Sequence, residues 1–178
     1  MSVHAPEMPI LVDDVTGVWT TDALPMLYVP RHFFVNNHMA IEEELGPQRY
    51  AQILYKAGYK SAYYWCEREA EEHSLVGEEI FQHYMKRLSQ RGWGIFTTER
   101  LDLPSGIARI RLDNSAFVYQ YGKVNRKVDY MFTGWFAGAV DQAALSLGVS
   151  VKTQATQIQS AAEEGCEFGL FEVEPISH

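Results

Sequence analysis

Glu69 with His73 and Glu79 with His83 are carboxylate–imidazole pairs four residues apart, the arrangement that puts an acid and a base on one face of a helix. Such pairs can shuttle protons or hold a metal ion. A metal site needs three or more converging ligands. Neither pair has an evident third ligand along the chain, and there is no HExxH. The pairs therefore read as solvated ion pairs, and no metal site is expected. Cys66 and Cys166 are far apart, form no CxxC, and read as reduced thiols, with the usual state of a free cysteine being a small buried hydrophobe. Ser61, Ser74, Ser105, Ser115 and Ser146 all lack a nucleophile-elbow context. Gly134-Trp-Phe-Ala-Gly138 falls inside a helical pattern instead of between strand and helix, so it is no dinucleotide fingerprint, and there is no P-loop. No catalytic residue and no cofactor are expected.

Rings are the remaining chemical resource. Tyr55, Tyr59, Tyr63, Tyr64 and Trp65 lie in one helical stretch, and Phe132, Trp135 and Phe136 in another. At helical spacing such rings fill a core. Two ring-lined helices over a sheet can also enclose an apolar pocket with a few polar tips, and Tyr59, Trp65, Phe132 and Trp135 are the residues expected to wall it. A methylated amine would be held there by cation–π attraction, worth roughly 0.5–2 kcal/mol per contact.

The elements that would position these rings follow from periodicity. Residues 1–16 read as an irregular arm, and residues 17–35, broken by Pro25 and Pro30, as edge strands or docking segments. Asn36 and Asn37 offer a helix N-cap, with Gly46 as its stop. Pro47 opens a long amphipathic helix to His73, in which Leu54, Tyr55, Gly58, Ala62, Trp65 and Cys66 share a face. Ser74 offers a cap for a third helix ending near Gly92. The period then changes to two. Residues 93–103 and 107–112 flank a Leu-Pro-Ser-Gly turn and form a hairpin. A turn or short helix capped by Asn114-Ser115 and a polar loop over 122–127 lead to a helix over 130–147, thinned on one side by Gly134, Ala137 and Gly138. Strands over 149–158 and 165–173 close the sheet. The order predicts an α+β domain, with helices on one face of an antiparallel sheet built from two hairpins and a long helix between them. Residues 1–30 are the appended arm and 31–178 the domain.

Composition narrows the partners. The chain has a formal net charge of −8 and a pI near 5.2, which disfavours nucleic acid and anionic lipid surfaces. With 47% apolar and 13% aromatic residues it is globular in composition. No secretory signal and no membrane span are read, which predicts a cytoplasmic protein.

The Gly-Trp-Phe-Ala-Gly step in a long helix, an alternating strand and the closing Gly-Cys-Glu-Phe-Gly-Leu-Phe-Glu-Val strand resemble the small-molecule-binding family named after 4-vinyl reductase. The Ala-Gly-Tyr-Lys-Ser-Ala-Tyr-Tyr-Trp stretch from Ala57 is similar to that family's glycine-aromatic helix. The resemblance spans roughly residues 30–174, and its fold is similar to that of TRAPP tethering subunits and haem–nitric-oxide sensors. It implies a ligand-binding domain, often dimeric, in which some members hold zinc through a glutamate and two cysteines at the last hairpin. Of those ligands only Cys166 has a counterpart here; Ile158 and Ala155 stand at the other two places. The expected function is a non-catalytic sensor, carrier or accessory domain for a small organic ligand. Two alternatives stand beside it: a homodimeric module with a solid core that docks a partner protein, and a small-molecule enzyme using the same pocket.

Overall fold

The structure, a computed structural model, describes residues 7–176; the first six residues of the expected arm lie outside them. In the rest of that arm one strand falls in the stretch read as irregular and two fall where edge strands were expected. Three short strands, β1 (Ile10–Val12), β2 (Trp19–Thr21) and β3 (Leu24–Met26), form an antiparallel meander. Thr21 pairs with Leu24, so the β2–β3 turn has two residues, Asp22 and Ala23, both at positive φ (51° and 61°). That is the conformation a tight hairpin turn demands.

Helix α1 (Arg31–Leu45) begins five residues before the expected asparagine cap. Pro30, extended at φ −60° and ψ 136°, takes the cap position instead. Asn37 lies inside the helix and its side-chain amide donates to the Phe33 carbonyl. Starting the helix at Arg31 puts Val35, His38 and Glu42 on its buried side. Helix α2 (Pro47–His73) starts and stops where its pattern says, but Ser74 ends it in a left-handed conformation (φ 54°) and does not cap the next helix. Helix α3 (Glu78–Gln90) starts instead after Gly77.

Strands β4 (Ile95–Asp102) and β5 (Ile107–Asp113) form the first hairpin, and β6 (Thr153–Gln159) and β7 (Gly169–Pro175) the second. The two hairpins join through β5 and β7 into one antiparallel sheet of order β4-β5-β7-β6. Between them lie the short α4 (Ala116–Tyr121) and the long α5 (Met131–Ser146). The Ser115 hydroxyl caps α4, accepting from the Phe117 and Val118 amides while donating to buried Asp129.

Helix α5 is buried along almost its whole length because α2 covers one side and the sheet the other. The thin face of α5 is what lets α2 come close. A Cβ on Gly134 would lie 2.8 Å from the Tyr55 Cα, and one on Gly138 would lie 3.1 Å from the Tyr59 carbonyl carbon. In return, Gly58 on α2 leaves room for the Trp135 indole, whose Nε1 would lie 2.7 Å from a Cβ there. Beneath, Phe96, Phe132, Phe136 and Phe171 pack edge-to-face at 4.9–6.4 Å between centroids and fill the space between helix and sheet. The expected α+β architecture is therefore present.

Candidate functional site

The four expected wall residues fall at three separate places. Phe132 and Trp135 come together, with ring centroids 5.3 Å apart, and both meet Trp93. Phe132 is wholly buried. Tyr59 faces the β6 end of α5, where its hydroxyl donates to Asp141 Oδ2 at 2.5 Å and accepts from Lys152 Nζ at 2.5 Å. Burial first, and the Asp141 carboxylate second, push this phenol far above its ordinary pKa. Asp141 is further held by the Thr153 amide and hydroxyl at 3.0 and 2.7 Å, so the group ties α2, α5 and β6 together. Trp65 lies against α3, stacked on His83 at 5.6 Å and covered by Arg91.

A fourth place carries a buried imidazole without partners. His38 is 2% exposed, and neither ring nitrogen has a hydrogen-bond partner. Four rings surround it: Phe117 at 4.7 Å, Tyr50 at 4.9 Å, Tyr130 at 5.5 Å and Tyr121 at 6.3 Å. The Tyr121 hydroxyl is also buried without a partner. Desolvation lowers the His38 pKa to about 4, a cost that Glu42 only partly offsets. At neutral pH the imidazole is uncharged, with one N–H donor and one bare acceptor. Glu42 itself accepts from the Arg126 guanidinium and the Tyr130 hydroxyl, and the Arg126 guanidinium lies 5.2 Å from the Tyr121 ring centre. Phe117 connects this cage to Trp93, at 6.2 Å, and to Phe132, at 5.7 Å. His38 thus forms one end of a continuous aromatic cluster whose other end holds Phe132 and Trp135.

The glutamate–histidine pairs also rearrange. Glu69 and His73 meet as spaced, at 3.5 Å, but His83 turns from Glu79 to Glu69, at 2.7 Å. Glu79 instead accepts from the Val76 amide at the start of α3. At the last hairpin, the residues do not fit the zinc site that the resemblance implies. Cys166 has no thiolate or carboxylate partner from Ala155 or Ile158, and Lys123 Nζ, a cation, donates to the Ala161, Glu163 and Cys166 carbonyls at 2.8, 3.1 and 2.8 Å. Cys66 is fully buried and its thiol is raised well above the usual range by desolvation, the opposite of an activated nucleophile.

Two surface clefts lie elsewhere. One of about 260 Å³ is lined by Glu78, Leu101 to Pro104 and Leu147, and one of about 320 Å³ by Lys123, Asn125, Glu164 and Gly165. Neither reaches His38 or the expected wall residues. His38 had a readable signal: it shares the i, i+3, i+7 face of Val35 and Glu42.

Residues 4–99 match a family described as a domain of unknown function, DUF5943, and the chain belongs to that family. Comparison with curated protein sequences finds no match. Among solved structures, the phenol-responsive sensory domain of the transcription activator PoxR, with phenol, superposes with a TM-score of 0.75 at 12% identity, covering 93% of this chain and 84% of that one. A vinyl-4-reductase family protein from Methanocaldococcus jannaschii gives 0.54 at 15% identity, covering 85% of each chain. A trafficking protein particle complex subunit 3 from Naegleria fowleri, covalently bound to palmitic acid, gives 0.56 at 9% identity, covering 83% and 96%. At these identities the likeness is one of fold, and it is the fold that the resemblance to the 4-vinyl reductase family implied.

Proposed function

We propose that this DUF5943 chain is a non-catalytic domain that binds a small, neutral, hydroxyl-bearing organic molecule, preferably one with a ring, and serves as a sensor, carrier or accessory. The observation that carries the proposal is His38, an uncharged imidazole buried in a cage of rings with both nitrogens unpartnered. A buried polar group without a partner costs about 1–3 kcal/mol, and a ligand hydroxyl donating to the bare nitrogen would recover much of it. Tyr50, Phe117, Tyr121 and Tyr130 are the proposed seat, with Phe132 and Trp135 as its inner wall. Tyr59 and Trp65 sit elsewhere and are left out of it. Tyr121, half-buried at the end of α4 beside Gly122, is the ring that would swing to admit a ligand.

A methylated amine fits less well, because Arg126 already supplies a cation to both Glu42 and the Tyr121 ring. The neighbouring PoxR domain, whose structure contains phenol, supports a ligand of the neutral class. The proposal includes residues 31–178 as the binding body and a cytoplasmic setting, with which the two free cysteines agree. No helix among the described residues is long and apolar enough to cross a membrane.

Titration calorimetry with phenol, cyclohexanol and choline tests the proposal. Phenol should bind one per chain and raise the melting temperature, choline should not, and His38→Leu should weaken phenol binding at least about tenfold, the worth of one buried hydrogen bond. Absence of binding by either hydroxyl compound, or binding that His38→Leu leaves unchanged, would overturn it.

A second reading has its own observation. Leu11, Val15, Leu27, Tyr28 and Phe33 are 58–94% exposed, and all belong to the first 33 residues. Such a concentration suits pairing with a second copy of the chain. Light scattering should give a dimer for the native chain and a monomer for Leu27→Ser/Tyr28→Ser; a native monomer would dismiss this reading.

A further inference from the structure

We propose that Asp22, Glu69, His73 and His83 form a binding site for one first-row divalent cation, zinc above all, which clips the N-terminal meander to the helical body. One ligand atom from each of the four residues lies within 4.8 Å of all the others. They come from three elements: the β2–β3 turn, α2, and α3. His83 Nε2 lies 2.7 Å from Glu69 Oε2, and His73 Nε2 lies 3.5 Å from both Glu69 Oε2 and Asp22 Oδ1. The convergence supplies the third and fourth ligands that neither helical pair had along the chain.

A second feature sets this cluster apart from an ordinary ion-pair network. The Asp22 and Glu69 side chains are each 1% exposed, and each keeps one oxygen, Asp22 Oδ2 and Glu69 Oε1, buried without a hydrogen-bond partner. Unpaired oxygens on two buried carboxylates are expensive where no cation meets them. The Arg87 guanidinium reaches only Asp22 Oδ1, at 2.7 Å, and fits the part of an outer partner that fixes the carboxylate's orientation. Trp65 stacks on His83, and the i, i+4 spacing keeps His73 beside Glu69. The His73 and His83 side chains are 35% and 18% exposed, which gives an ion a way in.

The donor set selects the ion. Two imidazole nitrogens and two carboxylate oxygens suit zinc and its first-row neighbours, whereas magnesium and calcium prefer oxygen alone. Four protein ligands complete a tetrahedral shell, which is the pattern of a structural site. What the ion would secure is the two-residue turn at Asp22 and, through it, residues 10–26 against α2 and α3.

The test uses the full-length, tag-free chain, stripped with a chelator and titrated with Zn²⁺ against a chromogenic competitor, with Co²⁺ absorption as an independent report of coordination. The native chain should bind one ion per chain and become more resistant to proteolysis within residues 10–26. His73→Ala removes a ligand from a partly exposed position and should leave the fold intact while weakening Zn²⁺ by more than about 100-fold, because loss of a ligand exceeds loss of an outer partner. His83→Ala should do the same. Absence of saturable Zn²⁺ and Co²⁺ binding by the native chain, or binding that His73→Ala leaves unchanged, would overturn the proposal.

Discussion

Gly134→Val should cost this protein about 3 kcal/mol or more, a large share of a domain's stability. The residue sits where α5 passes the backbone of α2, and a Cβ there would meet the Tyr55 Cα at 2.8 Å. Backbone on both sides cannot rotate away as a side chain would, so the helices must separate. Separation also withdraws Trp135 from the space above Gly58 and opens the contact at Gly138. Overpacking a filled core commonly costs about 1–3 kcal/mol, and a branched side chain against backbone belongs at or above the upper end. Domains have only about 5–15 kcal/mol to lose. The control is Gly148→Ala. Unlike helical Gly134, that glycine has a positive φ, 78°, but it has open space around it, so its cost should stay near 1 kcal/mol. Urea denaturation decides the matter, and a Gly134→Val midpoint close to that of Gly148→Ala would mean that α2 and α5 do not approach as described.

His38→Leu should stabilise the protein, the reverse of what most substitutions at a buried position do. At neutral pH the change removes two unpartnered nitrogens from an apolar cage, for a gain of about 1–3 kcal/mol. Acid should widen the difference. His38 titrates at about 4 in the folded chain, against an ordinary 6.5, because its surroundings resist the charged form. Between those values the unfolded chain binds the proton and the folded one does not. The cost of burying the ring is therefore least above pH 6.5, and the folded chain loses a further amount, about 3 kcal/mol in all, as the pH falls through the window toward 4. Subtracting the variant's urea stability from that of the native chain at each pH isolates this contribution from the carboxylates. A difference that stays flat from pH 7 to 4 would mean that His38 is hydrated or already paired. A buried residue whose removal stabilises the fold is kept for another reason, and ligand binding is the reason proposed above.

How much of this was legible beforehand differs from element to element. The 27-residue α2 was readable from end to end, because Pro47 opens it, a three-to-four-residue apolar step runs through it, and the step ceases at His73. Helix α1 was misplaced by five residues because Asn36 and Asn37 are good caps in isolation, while Pro30 and the burial of Val35 and His38 favoured an earlier start. Ser74 illustrates the same competition. A serine before a helical pattern reads as a cap, but here it takes the left-handed conformation that closes the helix before it. Of the four residues expected to share a wall, Phe132 and Trp135 share one cluster, whereas Tyr59 is drawn to Asp141 and Trp65 to His83, partners 82 and 18 residues away along the chain.

The sequence by itself determined the α+β class, the two hairpins, the small face of α5 and the acidic net charge, since each is written in local periodicity or composition. Only the tertiary structure decided which polar groups meet. Asp22 is one carboxylate in a short turn, His38 one histidine on a helix face, and His83 stands beside a glutamate it does not use. Their significance comes from neighbours delivered by α2, α3, α4 and the start of α5, and periodicity within an element carries no record of what another element brings to it. Burial then turns those meetings into chemistry, by removing the water that would otherwise have satisfied each group alone.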